Sequence, residues 1–516
     1  MDDEGSADAL TPEEDYALDI AGYLVIRGVL SRAEIEACNA AIDQVGQTQG
    51  MLDWERPHCD RFADLLEHPT LTRYLRGICI GDFRLNRYPQ LLPEVTRADE
   101  PLTGGNEPRN WSRSYFQMDQ TRFVQGIVAV WALADVDEGA GGFVLVPGTH
   151  KSQVETPQDI LRGNDDMSLT EQPVLRAGDL LLCTETVLHG MRPWSGTGRQ
   201  LLLSFGYIGS LVRRSNGAPP ASTDRDLPAW VDDMTPEQRV IMGIDRPNPA
   251  PIVHSDGQQT WVDDGGVGTY HPSIYVRDPD CDIDEKEFYH WDLCGHLVIR
   301  GVMDEAWLNA ANEAIDVHIE ALERSDNDAT HGTERLAGKG LSMLTGLFDF
   351  PEPHCEPFRR MIAHPAVVQR MNWMSGSGFV LDCMRAIVYE KGSSGHGLHS
   401  GPVPGTPRSI YAMQNGRTYC ETINVTWQLR DADPGDGGFM CIPGSHKCRY
   451  EMPESIRLLE DDRGLAKHVP MKAGDVVLFM GSAQIHGAYP WVADTPRRGV
   501  IANYVSRSLD QPAFRF

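Results

Sequence analysis

Apolar positions in this chain come in short runs separated by turn-forming residues. Ile127 to Leu133, Asn424 to Leu429 and Val476-Val477-Leu478-Phe479-Met480 either alternate apolar with polar positions or run together over strand-length stretches. Pro-Gly, Asp-Gly and Gly-Gly pairs stand between such runs as turn signals. Two segments read differently. Arg32 to Val45 and Glu305 to Ile319 carry helix-like spacing, each after a short apolar strand.

The pattern is written twice. Leu24-Val25-Ile26-Arg27-Gly28-Val29 returns letter for letter as Leu297-Val298-Ile299-Arg300-Gly301-Val302. Pro57-His58-Cys59 returns as Pro353-His354-Cys355, and from there one offset holds without a gap. It pairs Trp131 with Trp427, Gly141-Gly142-Phe143 with Gly437-Gly438-Phe439, and Ala177-Gly178-Asp179 with Ala473-Gly474-Asp475. It also pairs Pro147-Gly148-Thr149-His150-Lys151 with Pro443-Gly444-Ser445-His446-Lys447, and one position later His189 meets His486. The expected organisation is therefore a domain over 1–211, a Pro/Asp/Gly-rich linker over 212–284 and a second domain over 285–516. Strand-rich halves with a helical front predict two double-stranded β-helix (jelly-roll, cupin-like) domains in tandem, mainly β with flanking helices.

Composition narrows the partners. The chain of 516 residues carries 46 basic against 74 acidic residues, a net charge of −28. That argues against nucleic acid or an anionic membrane, both of which need clustered Lys and Arg. The apolar runs are strand-sized, far short of the roughly 20 residues a spanning helix needs. Met1 is followed by Asp-Asp-Glu rather than a basic and then apolar stretch, so a cytoplasmic protein is expected. Eleven cysteines without a CxxC pair read as reduced, mostly buried thiols.

The repeated motifs carry a resemblance. The Leu-Val-Ile-Arg-Gly-Val strand, Trp-x-Leu-x-Asp (Trp131 to Asp135, Trp427 to Asp431), the GGF…PG-T/S-HK run, the Ala-Gly-Asp turn and a late His-Gly followed by arginine resemble the phytanoyl-CoA dioxygenase family. The ordered set covers nearly the whole chain, once per half. The resemblance implies a non-haem iron(II), 2-oxoglutarate-dependent oxygenase on a jelly-roll barrel. In such enzymes two imidazoles and a carboxylate hold one face of the iron, leaving the other to 2-oxoglutarate and O₂. The first histidine and the carboxylate form H-x-D on one strand. A second histidine follows 85–90 residues on, and an arginine after it grips 2-oxoglutarate with a bidentate fork.

Carried onto this chain, the resemblance makes His486 the second histidine and Arg497 the clamp, with Arg498 less favoured by register. His399, in the stretch Gly395-His396-Gly397-Leu398-His399-Ser400-Gly401-Pro402, falls at the first histidine, and His396 is a candidate to support it. The carboxylate position is Gly401. Two readings follow: chloride or bromide fills the vacated position and the enzyme halogenates, or Glu421 or Asp436 completes the site and an aliphatic carbon is hydroxylated. A third reading is a binding or assembly protein without catalysis. Asn415 is a candidate donor to 2-oxoglutarate or substrate. The first half keeps His189 and Arg199 but lacks a histidine in either register. Thr103, with Gly105 opposite Gly401, takes the place in one; Gln117-Met118-Asp119 imitates H-x-D in the other. That half is expected to be a degenerate site with a structural or substrate-binding role.

Other repeated residues have structural readings. His150 and His446 survive in both halves, which points to ring-to-backbone hydrogen bonds. Pro57-His58-Cys59 and Pro353-His354-Cys355 read as buried turns, Trp131 and Trp427 as core. Asp179 and Asp475 read as turn residues that satisfy local backbone N–H groups.

Overall fold

A computed structural model describes residues 10–79, 83–106, 115–118, 121–124, 126–209, 252–253, 259–260, 284–325, 330, 332–374, 379–402, 409–414 and 417–506. The chain divides into two compact units, Met1–Ser152 with Thr156–His271, and Gln153–Glu155 with Pro272–Phe516. Nearly all of the expected linker lies outside the described residues. Among the described residues, no helix is long and apolar enough to cross a membrane.

The first unit opens with helix α1 (Pro12–Ala21), strand β1 (Tyr23–Ile26) and helix α2 (Arg32–Val45). Its core strands are β2 (Phe83–Leu91), β3 (Gly126–Ala132), β4 (Gly142–Val146), β5 (Leu180–Thr184), β6 (Leu188–Arg192) and β7 (Leu202–Gly209). A five-stranded antiparallel sheet runs β1-β5-β3-β7-β2, and β4 pairs with β6 apart from it. Helix α2 spans the predicted residues because Ser31 and Glu34 close a capping box at its start and Gly46 ends it in the left-handed region. Helix α1 has the same devices in Thr11, Glu14 and Gly22.

The second unit repeats these elements. Helix α3 (Glu285–Cys294), strand β8 (His296–Ile299) and helix α4 (Glu305–Val317) lead in. Strands β9 (Glu323–Ser325), β10 (Leu341–Leu344), β11 (Phe379–Tyr389), β12 (His396–His399), β13 (Thr422–Gln428), β14 (Gly438–Cys441), β15 (Lys467–His468), β16 (Val476–Met480), β17 (His486–Tyr489) and β18 (Arg497–Ser506) follow. The large sheet runs β8-β16-β13-β18-β11-β10-β9, the small one β12-β17-β14-β15. One cavity takes side chains from both sheets, so this part of the chain is a double-stranded β-helix.

The exact repeats turn out to be frame. Asp179 accepts from the backbone N–H groups of Arg176 (2.8 Å) and Gly28 (2.9 Å) and pairs with Arg27. Asp475 does the same with Lys472 (2.8 Å), Gly301 (2.9 Å) and Arg300. The Arg-Gly of the repeated hexapeptide is therefore the partner of the Ala-Gly-Asp turn, as both glycines stand at φ near +60°. His150 Nε2 donates to the Asp19 carbonyl (3.1 Å) and His446 Nε2 to the Asp292 carbonyl (2.9 Å). The fully buried carboxylates of Asp19 and Asp292 are each satisfied by a lysine (Lys151, Lys447) and a tyrosine hydroxyl (Tyr115, Tyr411). Trp131 and Trp427 are fully buried, and Cys59 and Cys355 are buried at the start of short helices. Of the ten cysteines described, nine are buried and none is bridged.

Candidate active site

Strands β12 and β17 pair so that His399 stands directly opposite His486. Their rings lie 4.2 Å apart, centroid to centroid. Each ring is oriented from behind: His399 Nδ1 donates to the Gly397 carbonyl and His486 Nδ1 to the Gln484 carbonyl, both at 2.9 Å. With Nδ1 carrying the proton, the lone pair of each ring sits on Nε2, the arrangement that metal-binding histidines adopt. Burial, with the neighbouring His399 second, pushes His486 down to about 3, so the ring is neutral at physiological pH. Phe479 and Phe439 close over His486, with ring centroids 4.7 and 6.4 Å away. His396 stacks 4.4 Å from His399 and faces the same cavity.

That cavity holds about 600 Å³. Arg497 lies in its wall, 4 % exposed. Among the described residues no carboxylate pairs with it, and its Nε has no hydrogen-bond partner. The Tyr389 ring lies 5.7 Å from the guanidinium. Burial lowers the Arg497 pKa, yet a guanidinium keeps its charge in a protein. Gly438 makes room for it: at φ +95° its backbone passes so close that a Cβ would stand 3.3 Å from the guanidinium carbon. Arg498, one residue on, points the other way, as strand alternation requires, and pairs with Asp316 on α4.

Gly401 departs from strand geometry. Its φ is +108°, Ser400 before it stands at +68°, and a Cβ at 401 would meet Ile485 Cγ1 at 2.8 Å. The H-x-G triplet therefore does not continue the β12 alternation, and the glycine has a backbone reason. Gly105 in the first unit shares it, at φ +92°. Neither Glu421 nor Asp436 lines the cavity; the Asp436 carboxylate accepts from Asp433 N–H in the turn before β14. Among the described residues, no third His, Cys, Asp or Glu brings a ligand atom within 4.8 Å of both imidazoles. The carboxylate that does line the cavity is Asp382 on β11, which the spacing of histidines gave no means of finding.

In the first unit Thr103 pairs with His189 as His399 pairs with His486, which selects the unbroken register over the Gln117 one. His189 keeps its anchor, Nδ1 to the Val187 carbonyl at 2.7 Å. Arg199 does not stand where Arg497 does. It is 59 % exposed and pairs with Asp43 on α2, as Arg498 pairs with Asp316 on α4. The place of Arg497 belongs to buried Gln200, whose amide oxygen lies 3.4 Å from a Cβ at Gly142. Asp119 and Asn415 lie outside the described residues.

Paired Nε2 donors and a buried cation without a counter-charge fit iron and a dicarboxylate, the equipment of an iron(II)/2-oxoglutarate oxygenase. The phytanoyl-CoA dioxygenase (PhyH) model matches residues 52–200 and 291–499, and the chain belongs to that family of iron(II)/2-oxoglutarate-dependent enzymes, which act on small molecules. No curated protein matches the chain significantly. Among solved structures, the chain is similar to HygX from Streptomyces hygroscopicus, crystallised with nickel and 2-oxoglutarate: 18 % identity over 44 % of this chain and 88 % of that one, TM-score 0.37. AviO1 from Streptomyces viridochromogenes Tue57 gives 19 %, 44 %, 96 % and 0.32. The α-ketoglutarate-dependent epimerase SnoN from nogalamycin biosynthesis gives 17 %, 43 %, 82 % and 0.32.

Proposed function

We propose that the chain is a tandem of two barrels, 1–211 and 285–516 joined by 212–284, with one working site, in the second. There it oxidises a small organic substrate at an aliphatic carbon. The observation that carries this reading is Arg497: a buried guanidinium without a counter-charge, lining the cavity that also holds two Nδ1-anchored imidazoles.

His399 and His486 would hold iron(II) through Nε2, and Arg497 would hold the far carboxylate of 2-oxoglutarate through a charge-assisted hydrogen bond. When bound, iron and 2-oxoglutarate activate O₂ for attack on a C–H bond. The residues do the rest. Phe439, Phe479, Ile387 and Ile501 keep the wall dry, which strengthens the Arg497 contact. Thr422, Asn424 and Thr426 offer polar groups along β13 to orient bound molecules. Halogenation has no observation in its favour, because the backbone at Gly401 accounts for the glycine without a halide.

The test is anaerobic titration of the full chain with iron(II) and 2-oxoglutarate, following the visible metal-to-ligand charge-transfer band. The band forms in the natural protein and is absent in His399→Ala. If it does not form at saturating iron, the catalytic reading fails and the second barrel is a binding domain. A shift of the band on adding chloride would restore the halogenase reading.

A further inference from the structure

Strand β11 faces the cavity with Tyr389, Ile387 and Arg385, every second residue. The next in that series is Cys383, but Asp382 lines the cavity instead. The cause is a β-bulge: between Leu381 and Cys383, β11 has a residue more than β18 has between Tyr504 and Asn503. The first unit keeps the bulge between Leu85 and Arg87, with uncharged Asn86 as the extra residue. A bulge held in both units while its side chain changes from amide to carboxylate is a device for aiming that side chain.

The charges on this wall are not used by the protein. Among the described residues, Asp382 has neither a hydrogen bond nor an ion pair, and Arg385 has only a contact to Cys383 Sγ at 3.4 Å. Three residues apart on one strand, about 10 Å at strand rise, they do not pair with each other. Next to the bulge, Asn503 sits across from Cys383, and its buried amide oxygen has no partner. One end of the wall thus offers a carboxylate and an amide oxygen, both acceptors, while Arg385 offers a fork of donors. Half-buried charges are costly to leave unmatched. A ligand that carries both signs would match them together. Arg497 is the cation for 2-oxoglutarate, which leaves Arg385 for the second molecule, and 600 Å³ has room for two small ones.

We propose that Asp382 and Arg385 form a two-charge substrate subsite that selects a small zwitterion, its ammonium-type group at Asp382 and Asn503 and its carboxylate at Arg385. The proposal rests on reading this cavity as the oxygenase site.

Calorimetry on the full chain without oxygen tests it, with 4-aminobutyrate, 5-aminopentanoate and 6-aminohexanoate as probes and pentanoate and pentylamine as single-charge controls. Titrations are run with iron(II) and 2-oxoglutarate, and again with neither. At least one amino acid is expected to bind ten times more tightly than both controls. D382N should remove its advantage over pentanoate and R385Q its advantage over pentylamine, with the charge-transfer band and 2-oxoglutarate affinity unchanged. Equal binding of amino acids and controls, or no binding of any amino acid, overturns the subsite. So does loss of the band in D382N, which would make Asp382 an iron ligand, or a tenfold loss of 2-oxoglutarate affinity in R385Q, which would make Arg385 part of its clamp. Absence of the band in the natural protein sinks the oxygenase reading alone, because the metal-free titrations still report the two-charge preference.

Discussion

The interiors of the two units differ where their frames agree. In the second unit β13 turns Thr422, Asn424 and Thr426 towards a cavity. At the matching positions the first unit has Gly126, Val128 and Val130, and the valines belong to a packed cluster with Phe143, Leu145, Leu181, Cys183, Met191 and Leu202. Met191 answers to Ala488 and fills with a long side chain what alanine leaves open. Further along, Arg87 lies against Gly206, the counterpart of Asn503. It pairs at 3.4 Å with Glu185, which lies over Gly126. The first unit therefore closes its own charges on each other, whereas in the second Asp382, Arg385 and Arg497 have no oppositely charged partner among the described residues. A protein keeps an unmatched buried charge only where something else completes it.

The largest expected effect separates the two histidine places. His399→Ala or His486→Ala should reduce bound iron from one per chain to none and turnover at least about 100-fold; His189→Ala should leave both unchanged. Metal analysis of the purified variants checks this, and two irons per natural chain would break the contrast. Next is Arg497→Gln, which copies Gln200. Losing one side of a desolvated charge pair is worth about 2–5 kcal/mol, so the 2-oxoglutarate Kd should rise about 30-fold or more, read by titration of the charge-transfer band.

Filling the second interior as the first is filled comes third. Asn424→Val with Ala488→Met should abolish turnover while the unfolding midpoint holds or rises. The reverse change, Val128→Asn, buries an amide among apolar side chains and should destabilise by about 1–3 kcal/mol in denaturant unfolding.

Acid should discriminate between the units by a smaller margin. His290 and His296 have no counterparts in the first unit, where Ala17 and Tyr23 stand. Burial pushes His290 down to about 4 and His296 to about 3. Unfolded histidine binds its proton near 6.5, so the unfolded state gains protons first. The stability of the second unit is then fully present above pH 6.5 and falls as pH drops towards 4, by about 1 kcal/mol per pH unit per group. His290→Phe should flatten that fall in urea melts of the metal-free protein. Smallest is Gly401→Asp. The left-handed backbone and Ile485 should make it destabilising by about 1–2 kcal/mol, with no gain in iron affinity; tighter iron binding would revive the lost-carboxylate reading.

Much of this was legible in the residues. The repeat announced the frame, because the turns that build it are local and keep their letters. The resemblance named His399, His486 and Arg497 together, and all three line one cavity. What was missed has physical reasons. Arg199 reads as the clamp by its letter, yet strand alternation turns it outward to Asp43, and Gln200 takes the inner place. Thr103 or Gln117 could each match His399 until pairing with His189 chose. Asp382 was hidden because a bulge breaks the two-residue period on which inward-facing residues are counted.

By itself the sequence determined the number of frames, their strands and turns, and the type of chemistry, since these rest on local periodicity and on residue types at fixed intervals. Only the tertiary structure decided which charges are matched. Pairing is a relation between strands far apart in sequence, and the same letters, Arg and Asp, serve as a surface ion pair in Arg199–Asp43 and as unmatched cavity walls in Arg385 and Asp382. Burial separates the two, and burial belongs to the fold.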